Sequence, residues 1–217
     1  MFTPQEDAMA RNYVHTLFTD EARAMQAADG SRDAYARMEE GADGAPDRIG
    51  EKEADFIAAR DSFYIASITP KGWPYVQHRG GPAGFLKLLD GNRLGFADYR
   101  GNRQHVSTSN LLADPRVSLL LMDYPNRRRL KILGHARIAA AAEAPELLSR
   151  LMPDGYRALP ERAYLIDVIG YDWNCPQHIM PRFTEAELAA ALKPMADELT
   201  RLRAELDQTR KANIEKE

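Results

Sequence analysis

Two strand-like runs joined by a tight turn decide the fold of this chain: SFYIASITPKGWPYVQHRG, residues 62–80. The runs at 62–69 and 74–80 are rich in β-branched and aromatic residues, which favour strands. The segment TPKGWP between them has the proline and glycine content of a tight hairpin connection. This stretch therefore predicts two neighbouring antiparallel strands.

Further runs of the same kind follow along the chain. They are RLGFAD (93–98), RVSLLLMD (116–123), RLKILGHARIA (129–139) and AYLIDVIGYDW (163–173). Turn sequences such as LDGN and DYPN separate them, and only short helical segments intervene, at 104–114 and 143–152. Six short strands with hairpin turns favour a small antiparallel barrel over a parallel βαβ sheet. The predicted class is mainly β with flanking helices, α+β.

The two ends of the chain predict helices. Residues 1–60 are rich in Ala, Glu, Arg and Met, with a Gly/Pro/Asp loop at 41–50, and we expect this segment to pack on the barrel. A lid over a cleft is an equally open role for it. Residues 184–217 predict an amphipathic helix. Its apolar residues have the a/d spacing of a coiled coil: Leu188, Leu192, Met195, Leu199, Leu202 and Leu206. A helix lying on its own domain and a dimer seam are both compatible with that stripe.

The composition limits the class of protein. The 217 residues are 44% hydrophobic with a net charge of −3, which is enough for one sizeable core and gives no reason to expect nucleic acid or a membrane. A single cysteine, Cys175, fits a reducing compartment, and the N-terminal residues lack the apolar run of a signal peptide. The five histidines are scattered without ligand spacing, so no metal site is predicted. We expect a cytoplasmic protein.

The charge is distributed unevenly. Residues 71–137 carry twelve Lys and Arg against four acids, a charge of +8, so that the remainder carries −11. A basic centre in an acidic protein favours a local anionic ligand over a long polyanion. Solvated arginines on edge strands are the plain alternative. The run NRRRLKI, 126–132, lacks the interleaved aromatic residues of a nucleic-acid platform.

Two short segments are candidates for the anion site. RGNRQ, 100–104, lies at a strand-to-helix junction, where a glycine, arginine forks and free N–H groups suit a phosphate. An ordinary Gly-Asn turn is the alternative there. YVQHRGG, 75–81, places Gln77 and Arg79 on one strand face and His78 on the other. Its glycines either leave room for a flat ligand or mark a bulge.

The order of these segments resembles the pyridoxamine 5′-phosphate oxidase-like family of flavoproteins. The resemblance covers about residues 56–182 and is carried by GWPYVQHRGG, LGFADYRGNRQ, NRRRLKILGHAR and DWNCPQHI. It implies a split β-barrel over residues 61–183, a homodimer, and FMN bound in two clefts at the subunit interface. The segments GSRDAYARME and DWNCPQHI resemble one bacterial branch of the family.

The resemblance also implies site residues. Gln77, His78 and Arg79 would lie on the strand that flanks the flavin. Ala97 and Asp98 would lie at a strand end near the ring and ribityl chain. The phosphate would be held by Asn102, Arg103 and Gln104, where the family commonly has Ser-Arg-Lys. Arg129 and Lys131 would come from the facing strand, near the ring or from the other subunit. Trp173 and the loop after it would close over the flavin edge.

The resemblance does not extend to the substrate segments of true pyridoxamine phosphate oxidases. Neither AAAAEAPELLSRLMPDGYRALPERA (139–163) nor NCPQHIMPRF (174–183) matches them, and no catalytic residue is assigned. It therefore implies an FMN-dependent oxidoreductase on an unidentified small molecule, with a nicotinamide or deazaflavin electron donor. A flavin or haem carrier, or a redox sensor without turnover, is the alternative.

Overall fold

A computed structural model describes residues 11–41, 43–173 and 176–214 of the chain. These residues fall into two units. The first comprises those within Met1–Asp123 and Arg128–Gln177, and the second comprises Tyr124–Arg127 with those of His178–Glu217. The six segments that were predicted to be strands all lie in the first unit.

The centre of the first unit is one antiparallel sheet. Its strands are β1 (Ser62–Ile68), β2 (Pro74–Gly80), β3 (Lys87–Asp90), β4 (Arg93–Tyr99), β5 (Arg116–Asp123), β6 (Arg128–Ala140) and β7 (Pro160–Trp173). The order across the sheet is β2-β1-β5-β6-β7-β4-β3. The hairpin predicted at 62–80 is confirmed, with Ser62 opposite Gly80 and Ile68 opposite Pro74.

The sheet has seven strands where the sequence predicted six. The additional strand is β3, which pairs with β4 across the predicted LDGN turn. Only four residues form it, and their alternation of half-buried and exposed side chains is too short to stand out from a loop in sequence. The prediction of a mainly β, α+β chain with antiparallel neighbours is confirmed.

Among the described residues of the first unit, six helices accompany the sheet. Four precede it: α1 (Arg11–Leu17), α2 (Asp20–Ala28), α3 (Arg32–Glu39) and α4 (Glu51–Ala58). Two are inserted between strands, α5 (Val106–Ala113) and α6 (Pro145–Leu151). All six lie within the segments predicted to contain helices, 1–60, 104–114 and 143–152, and residues 43–50 form the predicted loop between α3 and α4.

The sheet curves so that strands far apart in its order meet across the core. Phe63 of β1 and Phe96 of β4 are four places apart in the strand order, yet their ring centroids are 5.3 Å apart. Phe96 also stacks on Tyr164 of β7 at 4.9 Å. The same curvature brings Arg79 of the edge strand β2 to within 2.6 Å of Asp98 on β4. Polar groups from separate strands are thereby placed side by side.

The N-terminal helix α1 is attached to the sheet by hydrogen bonds and by close backbone contact. Asp47 accepts from the backbone N–H groups of Asn12 (2.9 Å) and Tyr13 (3.0 Å), and the Asn12 amide donates to the Ile169 carbonyl. A Cβ atom on Gly170 of β7 would lie 2.7 Å from the Tyr13 nitrogen. A glycine is therefore required where α1 crosses β7.

The second unit contains one long helix, α7 (Glu185–Ile214). Its start is stabilised by Thr184, whose hydroxyl accepts from the Glu187 N–H while the Glu187 carboxylate accepts from the Thr184 N–H. The apolar stripe of α7 is exposed, at 47–65% of each side chain. Across the described residues, no helix has both the length and the apolar character needed to span a membrane.

Candidate functional site

A cleft opens where the end of β4, the loop 100–105 and the start of α5 meet β2 and β7. Its walls are polar: Gln77 and Arg79 of β2 line one side, and Arg79 meets Asp98 of β4 from the other. The floor continues into the backbone of Val106, Ser107 and Thr108, the first residues of α5. The first N–H groups of a helix have no partner within the helix, so this end of α5 is suited to an anion.

Four arginines and two carboxylates form one ion-paired group at the cleft, and all of them except Arg100 line it. Asp98 lies between Arg79 (2.6 Å) and Arg162 of β7 (3.4 Å). Glu161 contacts Arg162 at 2.9 Å and also pairs with Arg100 (3.0 Å) and Arg103 (3.2 Å). With all six ionised, four positive charges stand against two negative ones. The group therefore carries a surplus of two positive charges.

One polar atom at the cleft, Nε of Arg79, is buried without a hydrogen-bond partner among the described residues. The Tyr99 hydroxyl is also buried and unpaired there, but the Tyr99 ring packs on Tyr156 and on the Ala97 cluster, on the other face of β4. A buried donor left unpaired is costly, and such atoms in native structures usually bind a ligand or water. The Arg79 guanidinium also lies over the Tyr164 ring, 5.3 Å from its centroid, which fixes the plane of the guanidinium. The structure thus holds the Arg79 Nε–H in place, and no described residue accepts a hydrogen bond from it.

The loop that closes the cleft has an unusual backbone. Arg103 and His105 both have positive φ, 57° and 56°, a region that residues other than glycine seldom occupy. Strain of this kind persists only where the surrounding structure enforces it, and it concentrates at functional sites. Here it turns the chain sharply between β4 and α5. The side chain of Arg103 remains 55% exposed, at the mouth of the cleft.

The ionisation of the two carboxylates is shifted in opposite directions. Burial raises the pKa of Asp98 above its ordinary value, an effect that the nearby Arg79 and Arg162 charges oppose. Hydrogen bonding from Arg100 lowers the pKa of Glu161, and the Arg103 charge acts in the same direction. Burial and the neighbouring Tyr156 raise the pKa of Tyr99 to about 12. The Tyr99 phenol is therefore neutral and can donate a hydrogen bond at physiological pH.

The structure brings six of the eleven predicted site residues to this cleft: Gln77, Arg79, Asp98, Asn102, Arg103 and Gln104. His78 points to the other face of β2, where its ring meets that of Tyr64. Ala97 is buried in a small cluster with Leu148 and Leu151 of α6. Both therefore lie outside the cleft walls, although they are adjacent in sequence to residues that form them.

The remaining three predicted residues lie elsewhere in the first unit. Lys131 pairs with Asp172 at 2.6 Å and lies over the Tyr13 ring. The Trp173 indole donates to Glu53 at 2.7 Å and packs on α4. Arg129 is opposite Met122 in the β5–β6 pair. The loop predicted to follow Trp173 includes Asn174 and Cys175, which lie outside the described residues.

Sequence reasoning missed Glu161 and Arg162. Arg162 is opposite Asp98 in the β4–β7 register, which places both residues at the mouth of the cleft. The signal was available in the sequence: charged Glu161 and Arg162 immediately precede the apolar run of the last strand. It could be interpreted only once β4 and β7 were known to be neighbours.

Three solved structures resemble the chain weakly. HupZ of Group A Streptococcus is 15% identical, with a TM-score of 0.48, over 62% of this chain and 99% of its own. General Stress Protein 26 of Bacillus anthracis is 15% identical, with a TM-score of 0.44, over 62% and 95%. A Clostridium acetobutylicum protein related to general stress protein 26 is 14% identical, with a TM-score of 0.41, over 64% and 99%.

Comparison of the sequence with models of protein families gives a stronger result than the solved structures do. Comparison with curated proteins finds no match. The family model described as pyridoxamine 5′-phosphate oxidase matches residues 49–168, which is more than half of the 217 residues. The matched segment begins just before α4, ends within β7 and includes every residue that lines the cleft. The chain therefore belongs to the pyridoxamine 5′-phosphate oxidase family.

Proposed function

We propose that this protein binds FMN in the cleft and acts as an oxidoreductase on a small molecule. The observation that carries the proposal is the surplus of two positive charges in this ion-paired group, five of whose six members line the cleft beside the first residues of α5. A phosphate monoester carries about −1.5 to −2 charges at neutral pH, so its charge matches that surplus. Family membership supports the same choice of ligand, because flavins are common cofactors in this family.

The residues of the cleft fit the parts of such a ligand. Arg103, with Asn102 and Gln104 beside it, would hold the phosphate together with the N–H groups at the start of α5. Arg79 offers its buried Nε, which has no partner among the described residues. Gln77 is held by Tyr75, whose hydroxyl donates to the Gln77 carbonyl at 2.5 Å, so the Gln77 amide is oriented before a ligand arrives.

When bound, FMN would supply hydride or electron transfer, and the chain would supply position and electrostatics. Arg79 is fixed between Asp98 and the ring of Tyr164, so its charge can stabilise negative charge on a ligand without reorganisation. Asp98 limits that effect, because its carboxylate neutralises part of the charge of Arg79 and Arg162. We assign no proton-transfer residue.

The proposal includes the architecture that the family resemblance implies. The curved sheet would be a split barrel spanning about residues 61–183, with two chains forming a homodimer and FMN between them. In that arrangement Arg129 and Lys131 would serve the cleft of the other subunit. Neither residue reaches the cleft of its own subunit, so a role for them at the flavin requires a second chain.

Comparison of FMN with riboflavin tests the phosphate site. The purified protein should show flavin absorption or acquire it on titration with FMN, and riboflavin should bind more weakly. Arg103→Ala should weaken FMN binding about tenfold. This is near the low end of the effect of losing a charge-assisted hydrogen bond, because the Arg103 side chain is half-exposed. It should leave riboflavin binding unchanged. Arg137→Ala is a matched control, since Arg137 is 53% exposed and also faces a carboxylate.

Failure of FMN to bind would overturn the cofactor assignment, and a tenfold loss for both flavins would overturn the role of Arg103. Reduced flavin in the protein should then be reoxidised by a specific small-molecule acceptor at a rate above that of free flavin. Tight binding without such turnover would contradict the enzymatic part of the proposal and favour a carrier.

A further inference from the structure

The charges that flank the apolar stripe of α7 carry an inference independent of the cleft. The stripe alternates spacings of four and three residues, which assigns Leu192, Leu199 and Leu206 to heptad position a. Leu188, Met195 and Leu202 then occupy position d. All six side chains are exposed, at 47–65%. An apolar stripe of this length on an otherwise polar helix is the surface that a second helix buries.

The flanking positions of the stripe carry opposite charges. Position g holds Glu198 and Glu205, and position e holds Arg203 and Arg210. In a parallel, in-register pair of helices, each g residue faces the e residue five positions later on the other helix. Glu198 would then face Arg203 of the partner subunit, and Glu205 would face Arg210 of the partner subunit. Two-fold symmetry makes four such pairs.

An antiparallel pair would place like charges together, because it sets g opposite g and e opposite e. The Glu residues would then face Glu, and the Arg residues would face Arg. Within the described part of the chain, Arg203 and Arg210 have no ionic partner, whereas Arg201 at position c pairs with Glu198 and Glu205 on its own helix. Pro194 also falls at position c, away from the stripe, so its ring does not obstruct a partner helix.

We propose that α7 forms a parallel, in-register two-stranded coiled coil with α7 of a second copy of this chain. The partner is identified by self-complementarity: the same surface supplies both the apolar stripe and the two signs of charge. The proposal does not depend on FMN binding, because none of the residues that line the cleft belongs to α7.

Disulfide cross-linking of the full chain tests both the pairing and its direction. In a Cys175→Ser background, Leu192→Cys, Leu199→Cys and Leu206→Cys should each give a covalent dimer as the main oxidised product. Ala190→Cys and Ala204→Cys are matched controls at position f, on the outer face, and should stay monomeric on denaturing gels. Cross-links at only one of the three seam positions would indicate antiparallel helices and overturn the proposal. So would the absence of cross-links at all three.

Charge exchange tests the g-to-e pairs. One Leu199→Cys chain carries Arg203→Glu with Arg210→Glu, and the other carries Glu198→Arg with Glu205→Arg. In a redox buffer their mixture should form mostly the mixed disulfide dimer, well above the half expected from random pairing. In the matched control, one Leu199→Cys chain carries Asp197→Arg and the other carries Asp207→Arg, at outer positions f and b. Their mixture should give the random proportion of mixed dimer. A random proportion from the first mixture would overturn the assigned g-to-e contacts.

Discussion

Replacing Gly170 by alanine should detach the N-terminal helix from the sheet. The new Cβ would lie 2.7 Å from the Tyr13 nitrogen, 2.8 Å from its Cα and 2.9 Å from an Asp47 carboxylate oxygen. Ordinary contact begins near 3.4 Å, so α1 must move by about 0.7 Å. Backbone atoms of α1 cannot yield as a flexible side chain would. The movement therefore stretches the hydrogen bonds from Asn12 and Tyr13 to Asp47.

The size of the effect follows from those contacts. A hydrogen bond to a carboxylate contributes about 1.5–3 kcal/mol to the free energy of unfolding, and the two bonds here are stretched and not lost outright. Overpacking alone costs about 1–3 kcal/mol. We expect a loss of about 3 kcal/mol in the free energy of unfolding. For a protein of this size that lowers Tm by about 6–12 °C. Because a helix of seven residues is unstable on its own, α1 should also unfold once detached.

Calorimetry and hydrogen exchange measure the two consequences. Gly170→Ala should show the lower Tm and fast amide exchange across residues 11–17. Gly101→Ala is the matched control, since its Cβ would lie 4.0 Å from the nearest atom, the Tyr99 carbonyl oxygen. FMN binding by Gly170→Ala should be unchanged, because no described residue of 11–41 lines the cleft. A Tm within about 1 °C of the natural protein, with α1 amides still protected, would refute this account.

Two further predictions concern the polar groups of the cleft. Burial raises the pKa of Asp98 in the folded chain, so the folded state favours the protonated side chain. The resulting contribution to the free energy of unfolding is present below about pH 4 and is lost as the pH rises through the folded pKa. Asp98→Asn should therefore gain stability relative to the natural protein between pH 4 and pH 7 in urea unfolding, and a difference independent of pH would contradict this. Tyr164→Phe removes the 2.8 Å hydrogen bond to Thr108 and should cost about 1 kcal/mol in the same assay, whereas an unchanged midpoint would show that the bond adds nothing.

The strands could be predicted from sequence because strand propensity and turn chemistry are local. The hairpin at 62–80 needs only its own residues, whereas β3 depends on pairing with β4 to be a strand at all. The site was predictable in part for the same reason. Gln77, Arg79 and the 100–104 loop have local signatures, but their meeting depends on the curvature of a sheet in which β2 and β4 are five places apart.

The positions of Lys131 and Trp173 could not be predicted from their own strands. Lys131 is covered by Tyr13 of α1, and Trp173 is covered by α4. Both helices come from the N-terminal segment, whose docking depends on contacts more than a hundred residues away in sequence. An alternating strand pattern shows which side chains share a face, but not which part of the chain will cover that face.

The edge position of β2 has a consequence for the energetics of the cleft. Among the described strands β2 has β1 as its sole neighbour in the sheet, so it is the strand of the cleft wall that can open locally at the lowest cost in free energy. Opening β2 separates Arg79 from Asp98 and divides the cleft. Any ligand held by both walls therefore favours the closed strand, and by linkage the closed strand favours the ligand. The fraction of molecules in which β2 is open should therefore fall as ligand fills the cleft, and it measures that occupancy directly.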